Sequence, residues 1–79
     1  MFYAYVLESI NHDFVYKGHC EDPEGRLKQH NSGMTESLRP YIPLKLIYKE
    51  EFVTREEAIV REKYFKTSAG RRFLKKWIL

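Results

Sequence analysis

The sequence predicts a small α+β domain, a three-stranded antiparallel sheet flanked by helices in the order β-β-α-β-α-α. Three observations lead to this prediction. The chain opens with two apolar segments separated by turn-forming residues, a third apolar segment occupies residues 44–52, and helix-capping or amphipathic patterns fill most of the remainder. The chain has 79 residues, of which 43% are hydrophobic and 32% charged. This length and composition suit one hydrophobic core, so we expect a single domain over residues 1–79.

The N-terminal segments are predicted to form a β-hairpin. Residues 2–8 carry apolar side chains on both alternating faces, which indicates a central strand, and residues 14–18 form the second strand after the turn-forming residues 11–13. If the loop is centred between positions 10 and 11, Tyr5 faces Tyr16 on one side of the sheet.

The first helix is predicted to begin at Asp22, whose side chain suits the N-cap, with Pro23 in the first helical position. The sequence Asn-Ser-Gly at 31–33 is expected to end it. Residues 34–43 contain two prolines and are predicted to form a loop, and residues 44–52 form the third strand.

The second helix begins with a capping box, because Glu57 lies three residues after Thr54. Along this helix Ala58, Glu62 and Phe65 share one face. An acidic side chain on an inward-facing stripe is uncommon, so Glu62 is a candidate functional residue. A simple ion pair with a neighbouring basic residue is the alternative interpretation.

The last helix, from about Ser68, is predicted to be amphipathic, with one apolar and one basic face. The apolar face consists of Phe73, Leu74, Trp77 and Ile78, and the basic face of Arg71, Arg72, Lys75 and Lys76. We expect the apolar face to cover the sheet, with docking onto a protein partner or a second copy of the chain as the alternative. Residues 61–79 carry a net charge of +6 and residues 1–60 one of −3. This asymmetry suggests a nucleic-acid partner, although a solvated helix face explains it equally well.

Composition also excludes several classes of protein. The single cysteine, Cys20, rules out an internal disulfide, and it is not accompanied by ligands at zinc spacing, so we expect a reducing, cytoplasmic environment. The N-terminus lacks the basic and apolar regions of a signal peptide, and no segment is long enough to cross a membrane, so we expect no membrane partner.

The predicted fold can bring together Tyr5, Tyr16, Arg26 and Glu62, and this set suits phosphodiester hydrolysis. Arg26 supplies a fixed cation for the phosphate, and Glu62 is a hard carboxylate ligand for Mg²⁺ or Mn²⁺. The tyrosines can orient the attacking water, and one can accept its proton if the metal and Arg26 lower its pKa. Taken singly, a strand tyrosine is more often a packing residue, and a lone arginine such as Arg26 is more often a surface cation.

Four segments together resemble the GIY-YIG nuclease superfamily. Within that superfamily, the resemblance is strongest to the small stand-alone bacterial members. The four segments are Tyr3-Ala4-Tyr5, Tyr16-Lys17-Gly18, residues 24–33 and residues 54–63, which lie in the family's order across nearly the whole chain. The resemblance implies the GIY-YIG fold and roles for four residues. Tyr5 would activate water or act as general base, Tyr16 would position nucleophile and phosphate, Arg26 would steady the phosphate, and Glu62 would hold one divalent metal ion.

The resemblance extends to neighbouring positions. His30 matches a histidine at the rim of the site in the most similar subgroup. Gly18 would leave space beside the substrate backbone, and with Lys17 it is assigned to the nucleic-acid-binding surface, together with the basic face of the last helix. The family's first motif has Gly and Ile where this chain has Tyr3 and Ala4, and many members have a late asparagine, whereas this chain has none after Asn31.

The resemblance therefore implies a Mg²⁺- or Mn²⁺-dependent endonuclease that cuts DNA, with a role in repair or recombination. Two alternatives stay open. The chain can be a nucleic-acid-binding module with weak or no catalysis, or an interaction subunit that docks through its last helix. Duplex, branched and single-stranded DNA, and RNA, are all compatible with the sequence.

Overall fold

The computed structural model describes residues 1–79 and confirms the predicted order of strands and helices. The elements are β1 (Phe2–Ser9), β2 (Val15–Cys20), α1 (Pro23–Asn31), a 3₁₀ helix (Glu36–Tyr41), β3 (Leu44–Phe52), α2 (Arg55–Phe65) and α3 (Ser68–Trp77). The strands form one antiparallel sheet in the order β2-β1-β3, so β1 is central, as predicted. None of the helices is long and apolar enough to cross a membrane.

The sheet separates two hydrophobic clusters, which is why β1 is apolar on both faces. On one face, β1 contributes Tyr5 and Leu7 to a cluster with Leu38 of the 3₁₀ helix, and Leu27 of α1 packs against it. On the other face, the cluster consists of Ala4, Val6, Phe65 and Leu74, from β1, α2 and α3. We call these the α1 side and the α2 side of the sheet.

The predicted pairing of Tyr5 with Tyr16 is wrong. Tyr5 pairs with Gly18, and Tyr16 pairs with Leu7. The two tyrosines nevertheless lie on the same side of the sheet, diagonally related, with ring centroids 6.2 Å apart. The shared side was predicted correctly because the actual register is shifted by two residues from the predicted one. A shift by an even number of residues leaves each side chain on the same face of the sheet.

The shape of the hairpin loop accounts for the shifted register. The Ser9 backbone N–H donates to the carbonyl oxygen of Phe14 at 2.9 Å and closes a loop over residues 10–13. The His12 backbone N–H donates to the Ser9 hydroxyl at 3.1 Å, which ties the loop back to the end of β1. The loop is therefore centred one position later than expected, on its polar residues.

The helix starts and stops follow the sequence signals. The Asp22 carboxylate accepts the backbone N–H of Gly25 at 3.2 Å, Pro23 is the first residue of α1, and Gly33 after its end has a φ of +85°. The capping box of Thr54 and Glu57 is formed at the start of α2. These local interactions explain why the ends of α1 and α2 could be located from the sequence.

The prediction that residues 34–43 form a loop is wrong in its central part, where Glu36–Tyr41 forms a 3₁₀ helix. Pro40 is accommodated because its fixed φ is compatible with 3₁₀ geometry. Leu38 is buried under the segment, and the Ser9 hydroxyl donates to the Tyr41 carbonyl oxygen at 2.7 Å. The Tyr41 ring also stacks on Phe14 at a centroid distance of 3.8 Å, and Nε of Arg39 donates to the Gly33 carbonyl oxygen at 2.6 Å, so several contacts together hold this connection in place.

The apolar face of α3 is only partly buried. Leu74 is 1% exposed, and Phe73 and Ile78 pack against the same cluster, so the expected covering of the sheet is confirmed for these three residues. Trp77 was expected on this face but is 66% exposed. The helix docks on α2 through its first turns, where Gly70 lies against the α2 backbone, and its last turn carries Trp77 into solvent.

Candidate active site

Three of the predicted site residues meet on the α1 side of the sheet. The Tyr5 hydroxyl lies 3.4 Å from Nε2 of His30, and the Tyr16 ring meets the His30 ring edge-on at a centroid distance of 5.4 Å. Tyr5 and His30 are 1% and 3% exposed. The opposite nitrogen of His30, Nδ1, lies 2.7 Å from the Thr35 hydroxyl. His30 is thus held at both ring nitrogens, and it occupies the centre of this group rather than the rim at which it was expected.

Arg26 lies one turn before His30 on α1 and faces solvent. Its guanidinium donates to the side-chain oxygen of Gln29 at 3.3 Å and forms no ion pair with a carboxylate. The guanidinium also lies close enough to the Tyr5 hydroxyl to favour its ionised form. An arginine without an acidic partner beside a hydroxyl cluster leaves its charge available to an anion.

Burial decides the protonation states of this group. It raises the pKa of Tyr5 well above the ordinary value of 10.0, the nearby Tyr16 and Cys20 raise it further, and the opposing effect of Arg26 is too small to reverse the shift. Arg26 alone therefore does not lower the Tyr5 pKa, contrary to what a tyrosine base would need. Burial, followed by the charge of Arg26, lowers the pKa of His30. At neutral pH the pair is a protonated tyrosine beside a neutral imidazole.

Glu62 lies on the α2 side of the sheet, where it is held by two partners. Its Oε1 accepts a hydrogen bond from Nδ1 of His19 at 2.7 Å, and its Oε2 accepts one from the Lys66 ammonium at 2.8 Å. The Glu62 side chain is 17% exposed. Burial alone would raise the pKa of Glu62, but the hydrogen bonds from Lys66 and His19 outweigh burial and lower it, so the carboxylate is ionised at neutral pH.

The predicted meeting of Glu62 with Arg26 and the tyrosines does not occur as direct contact. Successive side chains of β2 point to opposite sides of the sheet. Tyr16 therefore faces α1 and His19 faces α2, where it meets Glu62. Because of this alternation, the two halves of the candidate site lie on opposite faces of the edge strand β2.

A polar cleft of about 340 Å³ joins the two halves at the end of β2. It is lined by Phe2, His19, Cys20, Glu21, Asp22, Gly25, Arg26, Gln29 and Arg55. The cleft thus brings Arg26 of the α1 side and His19, the partner of Glu62, to one surface, and it adds Arg55 from the start of α2 as a second arginine.

Gly18 does not leave space for a substrate backbone on its side-chain face, contrary to the prediction. It is buried, and a Cβ at this position would lie 2.6 Å from the hydroxyl oxygen of Tyr5 and 2.7 Å from its Cζ. The Tyr5 ring packs over the β2 backbone and occupies the space that a side chain at position 18 would need. The glycine is therefore explained by the close packing of Tyr5.

The other predicted nucleic-acid contacts lie on the α2 side. Burial, followed by the charges of Arg71 and Lys66, lowers the pKa of Lys17, so Lys17 of β2 lies near Arg71 of α3 and near Lys66, the residue that caps the end of α2. The basic residues of α3, Arg71, Arg72, Lys75 and Lys76, are all exposed and form no ion pairs. This basic surface begins at Arg71, which lies near Lys17 and Lys66, and Lys66 in turn binds Glu62.

Sequence reasoning missed His19, Thr35 and Lys66. His19 could have been found from strand alternation, since it shares the face of Lys17 on a strand that packs against α2. Lys66 could have been found from its spacing, because it follows Glu62 by four residues on the same helix. Thr35 lies in the segment assigned to a loop, and no periodic pattern marks it.

A metal ion would have Glu62 as its protein ligand. No three His, Cys, Asp or Glu side chains are grouped as a multidentate metal site would require. A single ionised carboxylate is nevertheless compatible with Mg²⁺, which keeps several water ligands and shares the others between carboxylate and phosphate oxygens. One of the two current partners of Glu62 is the exposed Lys66 ammonium, which a metal ion can displace. The donor set therefore fits a magnesium ion held by one carboxylate.

Comparison with known proteins agrees with the motif resemblance. The profile of the GIY-YIG catalytic domain matches residues 1–76. The chain is 43% identical over 65 residues to a UPF0213 protein of Bacillus licheniformis and 42% identical over 65 residues to one of Streptococcus pneumoniae. These matches cover 81% of this chain but only 66% and 65% of the two relatives, just under two thirds of their length. A UPF0213 protein of Staphylococcus saprophyticus is 32% identical over 74 residues, 92% of this chain and 89% of that protein. No solved structure gives a significant match.

Proposed function

This chain belongs to the GIY-YIG family, and from that premise we propose that it is a metal-dependent endonuclease that hydrolyses phosphodiester bonds in DNA. One observation carries the proposal beyond family membership. The polar cleft at the end of β2 is bordered by an unpaired arginine, Arg26, and by His19, which holds the ionised Glu62 carboxylate. A phosphate bound in this cleft would meet the cation of Arg26 and would lie beside His19, the residue that links the cleft to the Glu62 carboxylate. Phosphodiester hydrolysis requires these two charges, a cation on the phosphate and a carboxylate that can hold a metal ion.

Each half of the site has a distinct task. When bound at Glu62, Mg²⁺ or Mn²⁺ supplies the charge that supports the leaving oxygen. Arg26 offsets charge on the non-bridging phosphate oxygens, and it can do so because no carboxylate neutralises it. Lys17 and the basic residues of α3 attract the DNA backbone on the α2 side.

Tyr5 and His30 handle the proton in this proposal. Because the pKa of Tyr5 is raised and that of His30 lowered, the resting pair holds its proton on the tyrosine and leaves the imidazole free to accept one. The Tyr5 hydroxyl can donate to His30 Nε2, while His30 Nδ1–H donates to the Thr35 hydroxyl. Tyr5 then passes its proton to His30 as it takes one from the attacking water, and Tyr16 packs against both rings to hold them.

The test is cleavage of labelled duplex, flap, junction and single-stranded DNA in the presence of Mg²⁺ or Mn²⁺. The chain has a matched pair of variants on one helix. Glu62→Gln removes the metal-binding charge but keeps an oxygen for His19, whereas Glu56→Gln changes an exposed acid of α2 outside the site. We expect Glu62→Gln to reduce cleavage by a factor of about 10²–10³, as is typical when a transition-state charge loses its partner, and Glu56→Gln to cut like wild type.

Equal cleavage by wild type and Glu62→Gln would refute the assignment of Glu62. Arg26→Lys provides a second check, because lysine keeps the charge but loses the planar donor geometry of arginine. We expect this substitution to lower the rate while leaving DNA binding nearly unchanged.

The second candidate function is a nucleic-acid-binding module without catalysis. The exposed, unpaired basic face of α3 favours it. This reading predicts binding that weakens steeply with salt and no metal-dependent cleavage of any substrate. Changing Arg71, Arg72, Lys75 and Lys76 to glutamine would then reduce affinity for all nucleic acids alike.

A further inference from the structure

The two oxygens of Glu62 are held by partners of very different kinds. Oε1 is bound by His19, which comes from β2, 43 positions away in the sequence, and whose side chain is 32% exposed. Oε2 is bound by Lys66, which lies one turn further along the same helix, at the residue that caps its end, and whose side chain is 53% exposed. One contact fixes the carboxylate to the sheet, and the other is a surface ion pair.

We propose that His19 is a positioning residue that fixes Oε1 of Glu62 and leaves Oε2 to the metal ion, and that Lys66 is a placeholder cation which the metal displaces. The inference rests on the proposed function, since it takes Glu62 as the metal-binding carboxylate. The chemical class of the incoming ligand is a hard divalent cation, Mg²⁺ or Mn²⁺.

The identity of the contact that breaks follows from how each partner is anchored. The Lys66 side chain is long, flexible and solvated, and an exposed pair four residues apart on a helix is weak, so its loss costs little. The imidazole of His19 is short and is carried by a strand that pairs with the buried β1 through Ala4. A metal ion that approaches the carboxylate therefore displaces the ammonium and keeps the histidine.

The histidine contact also sets the direction of the free oxygen. Glu62 has three rotatable side-chain bonds, and a carboxylate held only by its own helix would sample several orientations. With Nδ1–H of His19 on Oε1 at 2.7 Å, the carboxylate plane is fixed relative to β2 and to the cleft that His19 lines. A partner that orients a ligating side chain in this way contributes to metal affinity, and its removal commonly costs 10- to 100-fold.

The two residues therefore have opposite effects on metal binding, which separates positioning from plain charge competition. Removing Lys66 takes away a competing cation, so the metal should bind about twofold more tightly. Removing the His19 donor takes away orientation, so the metal should bind about 10-fold more weakly. If His19 were merely a second competitor for the carboxylate, its removal would strengthen binding as well.

The experiment is titration of the purified protein with Mn²⁺, with free Mn²⁺ followed by its electron paramagnetic resonance signal, which reports binding independently of cleavage. His19→Asn places an amide N–H close to the position of Nδ1, whereas His19→Gln places it near the position of Nε2. We expect His19→Asn to bind Mn²⁺ within about threefold of wild type, and His19→Gln and His19→Leu about 10-fold more weakly. Thermal unfolding midpoints confirm that each variant is folded at the temperature of the titration.

Lys66→Gln alters an exposed residue and should fold normally, so it keeps the test decisive if the His19 variants do not fold. Tighter binding by Lys66→Gln supports the placeholder role, and weaker binding overturns it. Wild-type or tighter binding by His19→Gln, with no binding by Glu62→Gln, overturns the role of His19 and leaves the proposed function standing. Equal binding by wild type and Glu62→Gln overturns the choice of Glu62 as ligand, and this inference with it.

Discussion

Gly18 is the position at which the smallest substitution should separate activity from stability. In Gly18→Ala the new Cβ would lie 2.6 Å from the Tyr5 hydroxyl oxygen, 2.7 Å from its Cζ and 3.0 Å from its Cε1. An ordinary carbon contact needs about 3.5 Å, so the ring must move by about 0.8 Å. Tyr5 is only 1% exposed, and the ring has no open space to enter without disturbing the contact with His30.

The cost in stability is moderate because two terms oppose each other. Overpacking of a well-packed core costs about 1–3 kcal/mol. Replacing a strand glycine by alanine returns about 0.5–1 kcal/mol, since glycine loses more backbone entropy on folding. The net loss of about 1–2 kcal/mol corresponds to a fall of about 5–15 °C in the unfolding midpoint of a domain of 79 residues.

The cost in activity should be larger. A displacement of about 1 Å in a catalytic group can lower the rate about 10²-fold, so Gly18→Ala should cut DNA about 100 times more slowly than wild type. Val6→Ala is a matched control, because Val6 is fully buried on the α2 side of the same sheet and its truncation costs about 2 kcal/mol without moving Tyr5.

The assay is single-turnover cleavage, measured well below both unfolding midpoints, beside circular-dichroism melting curves. We expect Val6→Ala to cut within about twofold of wild type, because the Val6 side chain points to the face of β1 opposite to Tyr5 and packs in the other cluster. If Gly18→Ala retained both the wild-type midpoint and the wild-type rate, the Tyr5 ring would not pack on Gly18 in the way described. If it lost stability but not activity, the position of Tyr5 would not matter for catalysis.

Three further predictions concern stability. Gly70→Ala places a Cβ directly against the Tyr64 carbonyl oxygen, and because that backbone cannot yield, α3 must separate from α2. We expect a loss of about 3 kcal/mol in chemical denaturation. Asn31→Ala removes both side-chain hydrogen bonds to the Leu44 backbone, at 2.7 and 2.9 Å, and should cost about 1–3 kcal/mol by the same measurement. Burial lowers the pKa of His30 from its ordinary value of 6.5, so as the pH falls the unfolded chain binds a proton at this residue before the folded chain does. The free energy of unfolding should therefore fall as the pH drops below 6.5, and His30→Gln should remove this part of its pH dependence.

Local signals in the sequence were sufficient for most of the fold. The capping residues Asp22 and Thr54 bind backbone groups three positions away, so their effect can be predicted without knowledge of the rest of the chain. The apolar character of β1 on both faces likewise required a central strand. The hairpin register was wrong because it depends on the loop, where Ser9 bonds to residues on the far side, and alternation alone cannot fix it.

The candidate site was predictable in its residues but not in its arrangement. Spacing on α1 placed Arg26 and His30 on one face, and the structure confirms that both lie near Tyr5. The sheet separates Glu62 from these residues. This separation can be predicted only if α2, the helix that carries Glu62, is known to pack on the face of the sheet opposite to α1. The face on which α2 packs is determined by the tertiary contact of Phe65 with β1. No local sequence pattern specifies this contact.

The position of β2 explains how two side-chain groups on opposite faces can serve one reaction. β2 is an edge strand, so one of its edges is not covered by a neighbouring strand. Tyr16 on the α1 side and His19 on the α2 side are three residues apart, about 10 Å along the strand, and the cleft at the end of β2 reaches Arg26 and His19 together. In a central strand the same alternation would isolate the two groups, because the sheet would continue past them on both sides. In the proposed function, a phosphate that crosses the open edge would be held by Arg26 from one face and by a metal ion on Glu62 from the other, so the proposed chemistry depends on the edge position of β2.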